Sequence, residues 1–153
     1  MQRTVVLLKP DALQRGLVGE IINRFERKGL KLVGLKMLAV SEALLEEHYA
    51  HHKDKAFFAE LKKFMSSAPL VCLLLEGKEA VSTVRKMAGA TNSREAELGS
   101  IRGDFSMSTS ANIIHVSDSP EAAREEEVRF FEKGEIFDWQ VAVSEYLYAE
   151  DEK

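Results

Sequence analysis

Thr4-Val5-Val6-Leu7-Leu8 is a continuous apolar run, cut short by Lys9-Pro10-Asp11, and Leu70-Val71-Cys72-Leu73-Leu74-Leu75 is a second, preceded by Pro69. Runs of this length, with no polar side and bounded by breakers, read as strands buried at the centre of a sheet. They constrain the fold more than any other feature, because whatever surrounds them has to bury them. Leu32 to Val40 and Asn112 to Val116 read as two further strands. The segments between change to helical spacing. Leu17, Val18, Ile21, Ile22 and Phe25 fall on one face between Gly16 and Lys28, and Gly29 ends that helix. Ser41 caps a helix carrying Leu44, Leu45, His48 and His52, and another follows from Ala56 to Ser66. Gly77 turns the chain into a helix from Lys78 to Met87. Ser119 caps a last helix, opened by Pro120 and running to Phe131.

The order is strand, helix, strand, helices, strand, helix, long loop, strand, helix. It predicts an α+β sandwich in which helices cover one face of an antiparallel sheet. Residues 88 to 111 read as one long irregular stretch, and loops of that length in a compact domain are commonly functional. The 153 residues suffice for one domain with its own core. Beyond it, Glu132 to Lys153 is mixed, with apolar anchors at Ile136, Phe137, Trp139, Val141, Val143, Tyr146 and Leu147 that predict packing on the body or on a neighbouring subunit.

Formal net charge is -4, which argues against a general nucleic-acid coat protein. The one cysteine, Cys72, cannot form an internal disulfide and reads as a buried small hydrophobe. Lys9 and Pro10 end the first apolar stretch too soon for a signal peptide, and no run reaches the length of a membrane span, so the cytoplasm is the expected compartment.

The chemistry concentrates near His115, in Asn112-Ile113-Ile114-His115-Val116-Ser117-Asp118-Ser119. A histidine at the end of a short apolar strand can be oriented by its neighbours, leaving one ring nitrogen to act as nucleophile or general base. No Walker-type phosphate loop is present, since Gly77-Lys78 lacks the upstream glycine and a following Ser or Thr. The available cations suggest another device. Lys9 follows the first strand, Arg85 lies late in a helix, and Arg102 sits in Gly99-Ser100-Ile101-Arg102-Gly103-Asp104, where glycines let the backbone turn tightly. Together with His115 these suit phosphoryl transfer, in which cations stabilise charge growing on the phosphate oxygens. Glu126 shares a helix face with Ala122, Ala123 and Phe130 and could fix the imidazole tautomer. His48, His51 and His52 have a spacing able to chelate a metal, but nearby Glu47 and Lys53 make this an ordinary wet helix face. Tyr49 and Phe57 are aromatic candidates for stacking on a nucleobase.

Taken together, these segments closely resemble the nucleoside diphosphate kinases, over about Thr4 to Phe131. The resemblance is carried by Lys9-Pro10-Asp11-Ala12; Gly19-Glu20-Ile21-Ile22 with Arg24-Phe25-Glu26 and Lys28-Gly29; His48-Tyr49; Phe57-Phe58; Arg85-Lys86-Met87 with Gly89-Ala90-Thr91-Asn92; Ile101-Arg102-Gly103-Asp104; and Asn112-Ile113-Ile114-His115 with Ser117-Asp118-Ser119. It implies a ferredoxin-like sandwich, assembly into hexamers or sometimes tetramers, and a ping-pong reaction. In that reaction ATP or another nucleoside triphosphate gives its γ-phosphate to His115, and a nucleoside diphosphate collects it. By motif position, Glu126 would orient His115. Lys9, Tyr49, Asn112 and Arg102 would surround the transferring phosphate, and Arg85 and Thr91 the more proximal ones. Phe57 would stack on the base, and Lys9 and Asn112 would also hold the sugar hydroxyl. Magnesium would bridge phosphate oxygens largely through water, without a dedicated protein cage.

The resemblance has departures. Val116 stands where the family usually has glycine after the histidine, adding bulk and restricting the backbone. Ser100 replaces a threonine. Ser93 and Leu98 replace two prolines of the long loop, and Thr109 takes the place of the apolar residue usually opposite Phe57. Glu127 occupies a commonly apolar position. If Val116 impairs transfer, the alternative is a nucleotide-binding scaffold or a phosphocarrier for protein partners.

Overall fold

The structure, a computed structural model, describes residues 1–142 and 144–152; Val143, one of the expected anchors, lies outside them. Four strands form one antiparallel sheet in the order β2-β3-β1-β4, with β1 Gln2–Leu8, β2 Lys31–Leu38, β3 Leu70–Gly77 and β4 Ile114–Val116. The helices are α1 Pro10–Gln14, α2 Val18–Arg27, α3 Glu42–His48, α4 Phe58–Met65, α5 Ala80–Ala88, α6 Ile101–Phe105 and α7 Pro120–Phe130. The expected α+β sandwich is the observed one. No helix among the described residues is long and apolar enough to cross a membrane.

One expectation fails at the level of layers. Helices cover both faces of the sheet. On β1, Val6 and Leu8 enter one core with Ile21 and Phe25 of α2 and Val84 of α5. Val5 and Leu7 enter the other, with Leu45 of α3, Met65 of α4 and Phe130 of α7. On β3, Val71, Leu73 and Leu75 face the first core and Leu70, Cys72 and Leu74 the second. Side chains alternate along a strand, so a run with no polar side needs cover on both faces. Burial pushes the Cys72 thiol up to about 12, in keeping with an inert core residue.

Three local corrections follow. The chain after β1, where the breakers Lys9-Pro10-Asp11 predict a loop, forms the short helix α1 instead, because Pro10 at its first turn needs no amide donor there. The long stretch 88–111 contains α6, capped by the Ser100 hydroxyl, which accepts from the Gly103 amide at 3.1 Å. Asn112 and Ile113 lie outside β4, which begins at Ile114.

The C-terminal segment straps the outer edge of β2. Phe137 N donates to Val33 O at 2.8 Å, the Trp139 indole donates to Leu32 O at 2.9 Å, and Lys31 pairs with Asp138 at 3.0 Å. Farther along the same edge strand, Leu35 and Met37 stand exposed.

Candidate active site

The site is built where β4 begins, on a backbone conformation that β-branched residues rarely adopt. Ile113 has φ +73°, and Ile114 N donates back to Asn112 O at 2.8 Å, closing a tight turn. Such a conformation costs on the order of 1–3 kcal/mol and persists only where neighbours hold it. Here Asp11 on α1 accepts from Ile113 N at 3.0 Å, and Lys9 N donates to Ile113 O at 2.8 Å. The turn brings the Asn112 side chain to Lys9, whose ammonium donates to Asn112 Oδ1 at 2.6 Å. The Asn112 amide nitrogen donates to Thr91 O and Thr109 O, each at 2.9 Å. Three sequence-distant candidates, Lys9, Thr91 and Asn112, are thereby joined at one place.

His115 follows on β4. Its Nε2 lies 2.8 Å from Glu126 Oε1 on α7, so the carboxylate accepts the ring N–H there. Nδ1 has no hydrogen bond among the described residues and is left with its lone pair. Glu126 is buried, and its other oxygen accepts from the Ser117 hydroxyl at 2.6 Å. Ser117 in turn accepts from Val5 N at 3.1 Å, which ties the carboxylate to the central strand. Ser117 was not among the sequence-predicted site residues. Its position two residues after His115, on the same face of a strand, was the available signal.

Val116 points the other way. Its side chain joins the opposite core, and only Glu79 and Ile113 have positive φ among described non-glycine residues. A β-branched residue therefore fits an ordinary strand position, with its side chain in the core and the residue bordering the same cleft as His115. Glu127, the charged departure, pairs with Arg3 at 3.1 Å.

The cations gather beside His115. Arg102 on α6 is buried, donating to Gly89 O and Ile114 O at 2.7 Å each; its Nε has no partner. Burial and then the charge of Arg85 pull its guanidinium down to about 10. The seat depends on missing side chains: a Cβ at Gly103 would lie 2.0 Å from Glu97 O, and one at Gly89 2.3 Å from Ser100 Oγ. Arg85 on α5 pairs with Asp118. Lys9 is pushed down to about 8 by burial and then by Arg102, against the opposing pull of Asp11.

All of the sequence-predicted site residues line one cleft of about 1230 Å³. Tyr49, at the end of α3, is buried, and burial raises its phenol above the usual tyrosine range. Phe57 stands half exposed at the rim, with Lys55 over its ring, and Thr109 lines the same cleft.

His48 is the main correction to the site. It is not on a wet face: only 7% of it is exposed, and its ring meets His115 edge-on at 4.6 Å and Phe130 at 5.0 Å. Burial, then the neighbouring His115 and Arg129, push it down to about 2, so it stays uncharged. Its place three and four residues after Leu45 and Leu44 was the overlooked signal, since Leu45 is buried on the same helix face.

Comparisons with known proteins point to one family. The family profile described as nucleoside diphosphate kinase matches residues 2–136. A nucleoside diphosphate kinase of Parabacteroides distasonis is 51% identical over 152 residues, covering 99% of each chain. One from Archaeoglobus fulgidus is 48% identical, covering 98% of this chain and 99% of its own. Among solved structures, a halophilic nucleoside diphosphate kinase from Halobacterium salinarum in complex with CDP superposes with a TM-score of 0.94. It is 43% identical and covers 97% of this chain and 99% of its own.

Proposed function

Because this chain belongs to the nucleoside diphosphate kinase family, we propose that it moves the γ-phosphate of ATP or another nucleoside triphosphate to a nucleoside diphosphate through a phosphohistidine on His115. The observation that carries this reading is the His115 ring held at Nε2 by Glu126, with Nδ1 open beside Lys9, Arg85 and Arg102. Nδ1 attacks the terminal phosphorus in line with the departing diphosphate oxygen. The Nδ1–P bond forms as the P–O bond breaks, and Glu126 stabilises the positive charge that appears on the ring. The second half-reaction is the reverse, onto a new diphosphate. Both substrates use one site in turn, so double-displacement kinetics follow.

Around the phosphate, Lys9, Tyr49, Asn112 and Arg102 supply charge and hydrogen bonds, and Arg85 and Thr91 hold the proximal phosphates. Phe57 offers a π face to the base, which every base can use, and Lys9 and Asn112 reach the sugar hydroxyl. The donor set beside the phosphates is cationic, and Asp118 is already paired with Arg85. This fits Mg²⁺ carried in on the nucleotide, where it neutralises phosphate charge, rather than held by a protein cage. One domain, with its core at 3–131 and the extension 132–153, does this work in the cytoplasm. It acts as a homo-oligomer, a hexamer or tetramer, for which exposed Leu35 and Met37 on the β2 edge supply apolar surface.

The test is a steady-state assay with ATP and a deoxynucleoside diphosphate. Parallel double-reciprocal lines and an acid-labile phosphoenzyme are expected; intersecting lines with no phosphoenzyme would reject the mechanism. Val116→Gly separates this reading from the impaired scaffold. Because the valine side chain is in the opposite core, kcat should change by less than about threefold, while stability falls by about 1.5–3 kcal/mol. Chemical denaturation and kcat measured together would check both. A large rise in kcat would favour the impaired alternative.

The pH dependence follows from Lys9. Its folded-state pKa is lowered, so in the empty site the ammonium is present below about pH 8 and lost above it. Only the ammonium attracts phosphate, so kcat/KM should fall by about tenfold per unit on the alkaline side. Lys9→Arg should lift that limb to higher pH, whatever its effect on the plateau.

A further inference from the structure

We propose that His48, His115 and Glu126 form a binding site for a zinc-like divalent ion, and that its occupation silences the enzyme by moving the His115 ring proton from Nε2 to Nδ1. The inhibitory half rests on the reading above, in which Nδ1 attacks; the binding half does not.

The geometry is close to what a metal needs. Glu126 Oε1 lies 2.8 Å from His115 Nε2 and 3.9 Å from His48 Nδ1, and one ligand atom from each residue falls within 4.8 Å of the others. Zinc binds such atoms at about 2.0–2.2 Å, which for a tetrahedral ion spaces them roughly 3.3 Å apart. The first contact has to open by about half an ångström and the second to close by a similar amount, and the third pair, His48 with His115, has to come from within 4.8 Å to the same spacing. Glu126 is already braced from behind by Ser117, as ligands of bound metals usually are. Two imidazoles and one carboxylate suit zinc better than magnesium, which prefers oxygen ligands alone.

His48 supplies the independent reason. It is a buried, uncharged imidazole that makes no strong hydrogen bond from either nitrogen. Among the described residues its Nε2 has no hydrogen-bond partner, and its Nδ1 meets the Arg129 guanidinium at 3.5 Å and Glu126 at 3.9 Å. A buried polar group left this poorly satisfied calls for an explanation. A cation between Nδ1 and the carboxylate oxygen would give the weakly held Nδ1 lone pair a strong partner; it is this atom, and not the orphaned Nε2, that the ion accounts for. Arg129 opposes this by its charge, but it has Glu47 to hold at 2.9 Å and lies at the edge of the triad.

The proton accounting is closed. In the metal-free site the His115 proton sits on Nε2, shared with Glu126. A metal that takes the Nε2 lone pair leaves a neutral ring only if that proton resides on Nδ1. No electron is transferred and no net proton is released. The nitrogen that should attack then carries a hydrogen and has no lone pair to offer.

The experiment uses the nucleotide-free full chain dialysed against buffered Zn²⁺, with EDTA reversal and Mg²⁺ alone as controls. One zinc per chain at micromolar free ion is expected, together with an EDTA-reversible loss of the phosphohistidine formed on first mixing with Mg·ATP. Imidazole ¹⁵N NMR should show the His115 proton passing from Nε2 to Nδ1. His48→Phe, which suits the aromatic contacts with Phe130 and Tyr49, should bind zinc at least about tenfold more weakly. Failure of the wild type to bind zinc, equal zinc affinity in His48→Phe, or a His115 proton that stays on Nε2 with zinc bound would overturn the proposal. If His48→Phe does not fold, the dialysis and the NMR on the wild type decide alone. A chain that binds zinc and shifts the proton, yet forms no phosphohistidine even without zinc, would refute the function proposed above and leave the metal site standing.

Discussion

His115→Ala is expected to lower nucleoside diphosphate kinase turnover by about 10⁴-fold or more, the scale on which removal of a covalent nucleophile acts. The acid-labile phosphoenzyme should vanish with it. The fold should survive, because the imidazole projects into the cleft and the strand it belongs to is held by main-chain pairing of β4 with β1 and by Ile114 and Val116 in the core. Circular dichroism like that of wild type and a melting temperature lowered by no more than about 2–10 °C, beside absent transfer, would be the full result. Retention of most of the activity would remove His115 from the chemistry, and with it the roles assigned to Glu126 and Ser117. The buried Glu126 carboxylate would lose one partner and keep Ser117, so a small change in stability is expected, of about 1–3 kcal/mol.

Arg102→Ala should be the next largest effect, for two separable reasons. The guanidinium is the buried cation proposed to meet the transferring phosphate, and deleting one such preorganised donor costs about 10²–10³-fold in rate. It also satisfies the carbonyls of Gly89 and Ile114. Those groups would lose their partner, at about 1–3 kcal/mol each where water cannot replace it. A fall in both kcat/KM and melting temperature is therefore expected. Arg102→Lys separates the two, since an ammonium restores charge but cannot bridge both carbonyls. It should recover part of the rate and little of the stability. Unchanged kcat/KM in Arg102→Ala would show that the guanidinium serves the loop and not the phosphate.

The sheet, most of its helices and the residues that line the cleft were legible along the chain for a physical reason. Burial period, capping chemistry and breakers are local, and the residues proposed to hold phosphate stand in recognisable local settings. Ser119 before Pro120 announced α7, and the hydroxyl caps it as expected. The apolar runs announced β1 and β3. Their lack of a polar side already called for cover on both faces, which the expected one-sided sandwich did not supply. Short elements were less legible, because α1 and α6 span barely more than one helical turn. Neither displays enough of a period to stand out, and tertiary contacts hold both.

What the amino-acid order decided by itself was the kind of chemistry available: an imidazole, a carboxylate, three cations and an aromatic face, distributed on strands and helices. Only the tertiary structure decided which atoms meet. Ile113 occupies a conformation that isoleucine avoids, because Asp11 and Lys9, a hundred residues earlier, hold its two peptide groups. His48 is buried rather than wet because α3 lies over the second core beside α7, a choice that its neighbours Glu47 and Lys53 do not reveal. Local order sets what each segment can bury. Contacts between distant segments set orientation, and the nitrogen of His115 left free to react depends on a hydrogen bond to another element.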